Sequence, residues 1–201
     1  MATLPDNALN PATGYVYIAE VGTARPSVTS TFDPTDPSTW DVAVKDKWKP
    51  VGHTSLENGL EFTSDGDDPE TLGTWQVPNL RSTNPKKTYS VTINLADFTV
   101  ETYKLYYGGG TTSTVNGVES FIIPDTPRAQ DHALLIVAVD GQYVVLQHFK
   151  RTSIVGSDSI TYDPAALTEM PVTATILGGQ SYGAASGQGE VTPRVKLGVG
   201  E

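Results

Sequence analysis

A mostly-β fold is predicted by three observations. Thr, Val and Tyr are prominent in the structured stretches; glycine and proline are plentiful, at 19 and 14 residues, which suits strands joined by turns; and helix formers are sparse outside one segment. The expected architecture is two packed β-sheets, a β-sandwich or partial barrel, with one short flanking α-helix near residues 97–107. One domain is assigned to residues 1–177, with an N-terminal arm at 1–13 and long loops at 22–46 and 64–87. Residues 178–201, rich in Gly, Ser and Gln, read as a flexible tail. A chain of 201 residues can bury a real core.

Residues 15–21 read as the first strand. Residues 22–46 hold Pro26, Pro34 and Pro37 among many Ser, Thr and Asp, and read as a long irregular connection of the kind that is functional, disordered or part of an interface. Asn58-Gly59 then predicts a hairpin. A three-residue loop, Glu57-Asn58-Gly59, with Gly59 left-handed in a bulge, pairs Leu56 with Leu60 and Thr54 with Phe62. The other face then carries His53, Ser55, Glu61 and Thr63. A two-residue turn would mix polar and apolar residues on both faces, so the bulged turn is preferred. An acidic loop, Asp65-Gly66-Asp67-Asp68-Pro69-Glu70, leads to Thr74-Trp75-Gln76-Val77.

Residues 88–96 alternate: Tyr89, Val91, Ile93 and Leu95 on one face, Ser90, Thr92, Asn94 and Ala96 on the other, a strand buried on one side. The helix at 97–107 has Asp97 as its cap and Gly108 to Gly110 as its stop, with Phe98, Thr102, Leu105 and Tyr106 near one stripe. It is short and partly β-branched, so it depends on packing against a sheet. Residues 118–123 form another strand. Residues 133–139 and 142–149 flank Asp140-Gly141, predicting a second hairpin with a type I′ turn. Leu135, Val137, Val144 and Leu146 share one face, and Leu134, Ile136, Tyr143 and Val145 the other. Both faces are apolar, so this hairpin is central and covered on both sides. Ile154-Val155 and residues 159–162 suggest a short hairpin, and 171–177 a last strand.

The chain has no cysteine, which removes disulfides, thiolate metal sites and thiol nucleophiles and suits a reducing cytoplasm. No positively charged start followed by an apolar stretch marks a secretory signal, and the longest apolar run, 133–139, is too short for a bilayer. Thirteen basic against 23 acidic residues give a formal charge of −10 and a pI near 4.6. No basic footprint for phosphates exists. An acidic surface serves solubility, and it would also let DNA pass nearby without sticking.

Catalytic constellations are missing. His53, His132 and His148 are far apart, with no pairing that suggests a metal. Asp65, Asp67 and Glu70 are hard oxygen donors but lack the spacing of a twelve-residue calcium loop, so the loop reads as solvated or subunit-facing. No nucleophile elbow, phosphate loop or dinucleotide fingerprint occurs. Two carboxylates facing each other across a β-cleft stay open as a possibility. Trp40 and Trp48 are close enough to share a patch, while Trp75 stands alone. No catalytic, cofactor-binding or metal-binding residue is assigned.

The order of features is nevertheless familiar, as a succession and not through any one motif. A Trp-x-x-Val-Gly-His-Thr segment at 48–54 leads to Asn58-Gly59, the acidic loop and Thr74-Trp75-Gln76. A one-sided strand, a short helix closed by glycines at 97–110, and a strand ending Phe121-Ile122-Ile123-Pro124 follow. The succession ends Gly156-Ser157-Asp158-Ser159-Ile160, Asp163-Pro164 and Met170-Pro171-Val172-Thr173-Ala174. Over residues 14–177 this resembles the major tail proteins, or tail tube subunits, of long-tailed bacteriophages with non-contractile tails, especially those of actinobacterial hosts.

The resemblance implies six-membered rings of this chain stacked into a tube, with inner sheets joined into a barrel and long loops and terminal arms bridging rings. It implies as partners other copies of the chain, the tape measure protein and viral DNA in the lumen without specific DNA binding, and the tail terminator and tail-tip proteins. It implies no cofactor and no membrane, and a place in the virion tail after synthesis in the host cytoplasm. On this reading the residues facing the lumen or an interface are Ser55, Glu61, Thr63, Asp65, Asp67, Asp68, Glu70 and Trp75. Other virion parts (a tail terminator or capsid decoration protein), a carbohydrate-binding or adhesin-like β-sandwich, and an acidic β-fold hydrolase remain as alternatives.

Overall fold

The computed structural model describes residues 8–178 and 189–198. In chain order the elements are β1 (Thr13–Ala19), β2 (Lys49–Pro50), β3 (Leu60–Asp65), β4 (Thr71–Leu72), β5 (Arg81–Ser82), β6 (Thr88–Leu95), α1 (Val100–Tyr107), β7 (Thr111–Val115), β8 (Val118–Ile122), β9 (Gln130–Asp140), β10 (Tyr143–Gly156), β11 (Met170–Ile176), β12 (Glu190–Val191) and β13 (Val195–Lys196). The protein is mostly β with a single short α-helix among the described residues, as expected from the composition.

The expected pair of packed sheets is one nine-stranded antiparallel sheet folded back on itself. Its order is β2-β1-β9-β10-β11-β6-β3, with β12 and β13 also on the edge of β10; β4-β5 and β7-β8 are separate two-stranded ribbons. The fold-back is made by β10, which pairs with β9 along most of its length and with β11 over its last five residues. The register slips between Phe149 and Thr152, so one extra residue sits in β10 there. A bulge of this kind bends the strand and exchanges its faces. Before it, Val144 and Leu146 point to an outer cluster and Phe149 to an inner one; after it, Ile154 points inward.

The inner cluster unites both limbs of the sheet: Val16, Leu134 and Ile136 from one, Val91, Ile93, Val172 and Ala174 from the other. Helix α1 covers its flank through Leu105, with Tyr103 and Tyr106 packed alongside. The stretch after β2 ties the two outer edges together. Lys49 and Pro50 pair with Ile18 and Tyr17, and the Ala96 N–H then donates to the His53 carbonyl (2.9 Å). The result is a partial barrel.

The outer cluster is made by the connection at 22–46, a lid on its own subunit, together with Trp48 just after it. Phe32, Trp40, Val44 and Trp48 bury against Tyr17, Leu135, Val137, Val144 and Leu146. Trp40 stacks on Phe32 at 5.5 Å and meets Tyr17 edge-on at 4.9 Å. The polar atoms carried inside are satisfied: Trp40 Nε1 donates to Asp33 O (2.7 Å), Trp48 Nε1 to Ala24 O (3.0 Å) and Tyr17 Oη to Pro34 O (2.6 Å). Burial pushes the Tyr17 phenol up to about 12. Each large apolar side chain so covered contributes on the order of 2 kcal/mol, enough to order a segment with little regular structure. Trp40 and Trp48 do share a cluster, as their spacing suggested.

Sequence expectations are corrected at several places. The first is Asn58-Gly59, which does not turn a hairpin. Thr54 faces Leu95 and Leu60 faces Ile93, both on the same edge of β6, so 56–59 is a blister looped out of a strand that resumes beyond it. Leu56, expected opposite Leu60, is 95% exposed. The free edge of β6 offers a longer ladder and an apolar row for Leu60, and this outweighs a local two-stranded turn. Second, the α1 cap is Thr99, not Asp97: the Thr99 N–H donates to Thr102 Oγ1 (2.8 Å), and Thr99 Oγ1 accepts from the Thr102 N–H (3.3 Å). The Asp97 carboxylate is drawn to the His53 N–H instead (2.9 Å). Gly108 does close the helix in the left-handed conformation.

Third, the central hairpin pairs Asp140 with Tyr143, so its two-residue turn is Gly141-Gln142. Positive φ at Gly141 (59°) and not at Gln142 marks type II′ rather than I′. This two-step shift keeps every side chain on its expected face, which is why Leu135, Val137, Val144 and Leu146 still cluster. Ile154-Val155 belongs to the same long strand, opposite Ala174 and Thr173, and residues 159–162 form no strand. Fourth, residues 189–198 of the expected tail are a strap on the edge of β10, with Gln147 opposite Val191 and Val144 opposite Val195. The remaining tail residues beyond Gly178, and residues 1–7 of the N-terminal arm, lie outside the described residues.

Candidate assembly surfaces

The outward face of β3, β6, β11 and the end of β10 is a field of short hydroxyl side chains. Pairing sets Glu61, Thr92, Thr173 and Val155 in one row across four strands, and Thr63, Ser90, Thr175 and Ser153 in the next. Thr63 and Ser90 hydroxyls are 2.7 Å apart. The inward residues of the same strands are the apolar half of each alternation, so the polar face follows from period two alone. The alternation of Pro171, Thr173 and Thr175 with Val172, Ala174 and Ile176 carried the same signal; those hydroxyl positions were not among the predicted site residues.

On one side this face sinks into a trough of about 1190 Å³. The 56–59 blister and the 157–169 loop frame it, tied by Asn58 Nδ2 donating to Glu169 Oε2 (2.7 Å). Six acidic residues line it, Glu57, Glu61, Asp97, Asp158, Asp163 and Glu169, and no Lys or Arg does. His53 is its single basic side chain, 3.0 Å from Asp97 through Nδ1. The His53 backbone N–H is the main reason the Asp97 carboxyl is held below its ordinary value. Among the described residues no group of three His, Cys, Asp or Glu could hold a metal ion.

The predicted site residues divide into two groups. Ser55, Glu61 and Thr63 come together on the polar face, with Ser55 Oγ accepting the Asn58 N–H (3.0 Å). Asp65, Asp67, Asp68, Glu70 and Trp75 run out along a projecting arm instead. Beyond the Asp65–Thr88 pair the chain leaves the sheet, pairs again as β4-β5, and turns at Thr74–Val77 with Trp75 wholly exposed. The acidic side chains of the arm are spread along it; Asp68 pairs with Lys87 (3.1 Å), and the Glu70 N–H donates to Thr83 Oγ1 (2.8 Å).

The strap is fixed by charge at both ends, which sequence reading missed because neither partner is near in the chain. Arg25 Nε donates to Glu190 Oε1 (2.7 Å), and Arg194 reaches Asp140 (2.9 Å) while its guanidinium lies 3.9 Å over the Tyr143 ring. Arg25 is also the main cause of a Glu190 carboxyl below its ordinary value. Beneath the strap, buried His148 packs edge-on to Trp48 and bonds the Thr23 carbonyl (2.9 Å) through Nε2, which must therefore carry the proton. Burial holds the imidazole below its ordinary value.

A β scaffold with a lid, an exposed arm, a hydroxyl-rich face and a trough of carboxylates is the equipment of a protein that works through its surfaces. The whole of residues 1–186 matches the family model of the phage tail tube protein. The chain is 36% identical over 182 residues to the major tail protein Gp23 of Mycobacterium phage D29, and 33% identical over 182 residues to the major tail protein Gp23 of Mycobacterium phage L5; each match covers 88% of both proteins. The chain belongs to the phage tail tube protein family. It is a structural component of a phage virion tail, not an enzyme, and both relatives come from phages of mycobacteria, which are actinobacterial hosts, as the resemblance suggested. Among the described residues, no helix is long and apolar enough to cross a membrane.

Proposed function

We propose that copies of this chain form six-membered rings that stack into the tube of a non-contractile tail, with the polar face of β3, β6, β11 and the end of β10 turned to a lumen that conducts DNA. The trough carries the reading: six carboxylates and no Lys or Arg among its lining residues, on a sheet face made of short hydroxyl groups. Such a wall repels phosphates and offers no long cationic side chain to hold them. The free edge of β3 gives a neighbouring subunit a place to continue the sheet, and closure into a barrel removes that exposed edge.

On the same reading Asp65, Asp67, Asp68, Glu70 and Trp75 belong to an arm that contacts other subunits. The tape measure protein and DNA occupy the lumen without sequence-specific contacts, and terminator and tip proteins close the two ends. Negative-stain microscopy of the purified protein tests the proposal. Tubes or six-fold rings of uniform width are expected. A strictly monomeric protein at high concentration, over several salt conditions, would count decisively against it.

A further inference from the structure

We infer that the tip of the arm on one copy seats Trp75 in an apolar groove at the root of the arm on the next copy. The inference rests on the ring-stack reading and adds the contact that would join one copy to another.

The tip is built to present an indole. Thr74 and Val77 exchange backbone hydrogen bonds (2.8 and 3.2 Å), which fixes the turn. Trp75 stands fully exposed, with Leu72, Val77 and Leu80 exposed behind it. The other two tryptophans are buried with their N–H groups satisfied. An exposed indole leaves on the order of 200 Å² of surface uncovered, and a cluster of exposed apolar side chains on a soluble subunit marks a contact surface.

The groove opens at the uncovered end of the inner cluster. Phe149 and Ile176 form its buried floor, and Phe62, Tyr89 and Val191 its exposed walls, around about 540 Å³. A space of that size lies within the range of pockets that enclose small ligands, ample for an indole. Charge favours this pairing. Residues 73–80 carry no ionisable side chain in a chain of net charge −10, and no Asp, Glu, Lys or Arg lines the groove. Copies with the same excess of negative charge approach at least cost where both surfaces are uncharged.

Placement gives the contact a direction. Ser64 and Tyr89 line the groove, and the next residues, Asp65 and Thr88, are the last pair before the arm leaves the sheet. The groove is therefore at the root, and the tip lies up to roughly 30 Å away along nine extended residues. A tip-to-root contact joins two different surfaces; passed on from copy to copy it is heterologous and runs on as a stack or closes as a ring, whereas two copies that exchange arms make a closed dimer.

The chain has no cysteine, so two singly substituted proteins, Gln76→Cys and Ser64→Cys, can be mixed, assembled and oxidised. A Gln76→Cys/Ser64→Cys heterodimer band is expected. Trp75→Ser should keep the wild-type circular dichroism and melting temperature but raise the critical concentration for assembly at least roughly 30-fold, the factor of a hot-spot side chain. Tryptophan emission should shift to the blue when wild-type protein assembles. If wild-type tubes form but Trp75→Ser assembles equally well, or no heterodimer forms, the contact is overturned while the tube stands. If wild-type protein makes no tubes, the ring-stack reading fails separately, and the same cysteine pair oxidised at high protein concentration still decides the contact. The competing occupant is the chain's own segment 179–188, whose flanking residues Ile176 and Gly189 line the groove. A Ser64→Cys/Tyr182→Cys bridge that closes within one chain and persists through assembly would also overturn the inference.

Discussion

Thr54 and Leu60 lie on one edge of a single strand, opposite Leu95 and Ile93. The chain advances six residues between them while β6 advances two. Four residues are thus surplus to the ladder, and they are the blister at 56–59.

Removing residues 56–59 should therefore join Ser55 to Leu60 in perfect register, with Ser55 opposite Asn94 and Leu60 still opposite Ile93. The deletion variant should fold and unfold cooperatively within roughly 1.5 kcal/mol of wild type in denaturant titrations, the loss being the Asn58–Glu169 hydrogen bond. A hairpin at Asn58-Gly59 would instead be destroyed by this deletion. Failure to fold would therefore sink the continuous-strand description.

Helix α1 gives a sharper contrast between two neighbouring residues. Thr99→Ala should cost about 1 kcal/mol of unfolding free energy, because Thr99 accepts the Thr102 N–H and closes the capping box. Asp97→Ala removes no helix cap, so it should leave helical amide exchange in α1 near the wild-type rate. Equal loss of protection in both variants would refute the assignment.

Acid should loosen the packing around His148 and His132 before it affects the carboxylates. Burial lowers His148 and His132 below their ordinary value, so the folded state favours the neutral imidazoles. Their contribution is complete above about pH 6.5 and is lost as the pH falls below it. Asp33, Asp97 and Glu190 are also lowered, and theirs is lost only below about pH 4. Thermal melting between pH 7 and 5 should show a falling midpoint, with a smaller slope in His148→Gln. An unchanged slope in that variant would remove His148 from the account.

The strap should be separable from the core. Leu146 donates its N–H to Thr192 Oγ1 (2.9 Å) and accepts the Thr192 N–H (2.9 Å). Arg194→Ala should cost about 1–2 kcal/mol, through the lost pair with Asp140 and the contact with Tyr143. The Leu146 amide should then exchange faster while Val91 and Ile93 stay protected. Uniform loss of protection across the molecule would mean the strap is integral to the core.

In the proposed lumen, Glu61→Lys places a long cation on a face lined by carboxylates and hydroxyls. Tubes should still assemble, since Glu61 points away from both clusters, but phage carrying the variant should eject DNA more slowly. If Glu61 were found on the outer wall of an assembled tube, the lumen assignment would fail.

Faces were legible and partners were not. Alternation in 88–96 placed Val91, Ile93 and Leu95 inside and Thr92 and Asn94 outside, and no later contact changed that. The same Asn-Gly signal that misled at 58–59 describes a real hairpin at 116–117, where Asn116 and Gly117 both have positive φ and join β7 to β8. The difference is competition. The flanks of Asn58 had a long strand edge available nearby; those of Asn116 had only each other. Of the candidate site, Ser55, Glu61 and Thr63 could be grouped because period two groups them, whereas Glu190 and Arg194 could not, since their partners Arg25 and Asp140 are distant in the chain.

The sequence by itself determined the β class, the side each residue takes within an uninterrupted strand, the single short helix and its glycine stop, and the acidic, cysteine-free character that suits a surface-driven protein. These are properties of a residue and its near neighbours, set by backbone period, φ preference and charge. Only the tertiary structure decided that 22–46 is a lid on its own subunit, that 53–65 is one interrupted strand, that a bulge in β10 folds one sheet into two limbs, and that 189–198 returns as a strap. Each depends on which strand edge or apolar face is left open far away in the chain, and a ladder forms where the most backbone groups and apolar surface can be satisfied together.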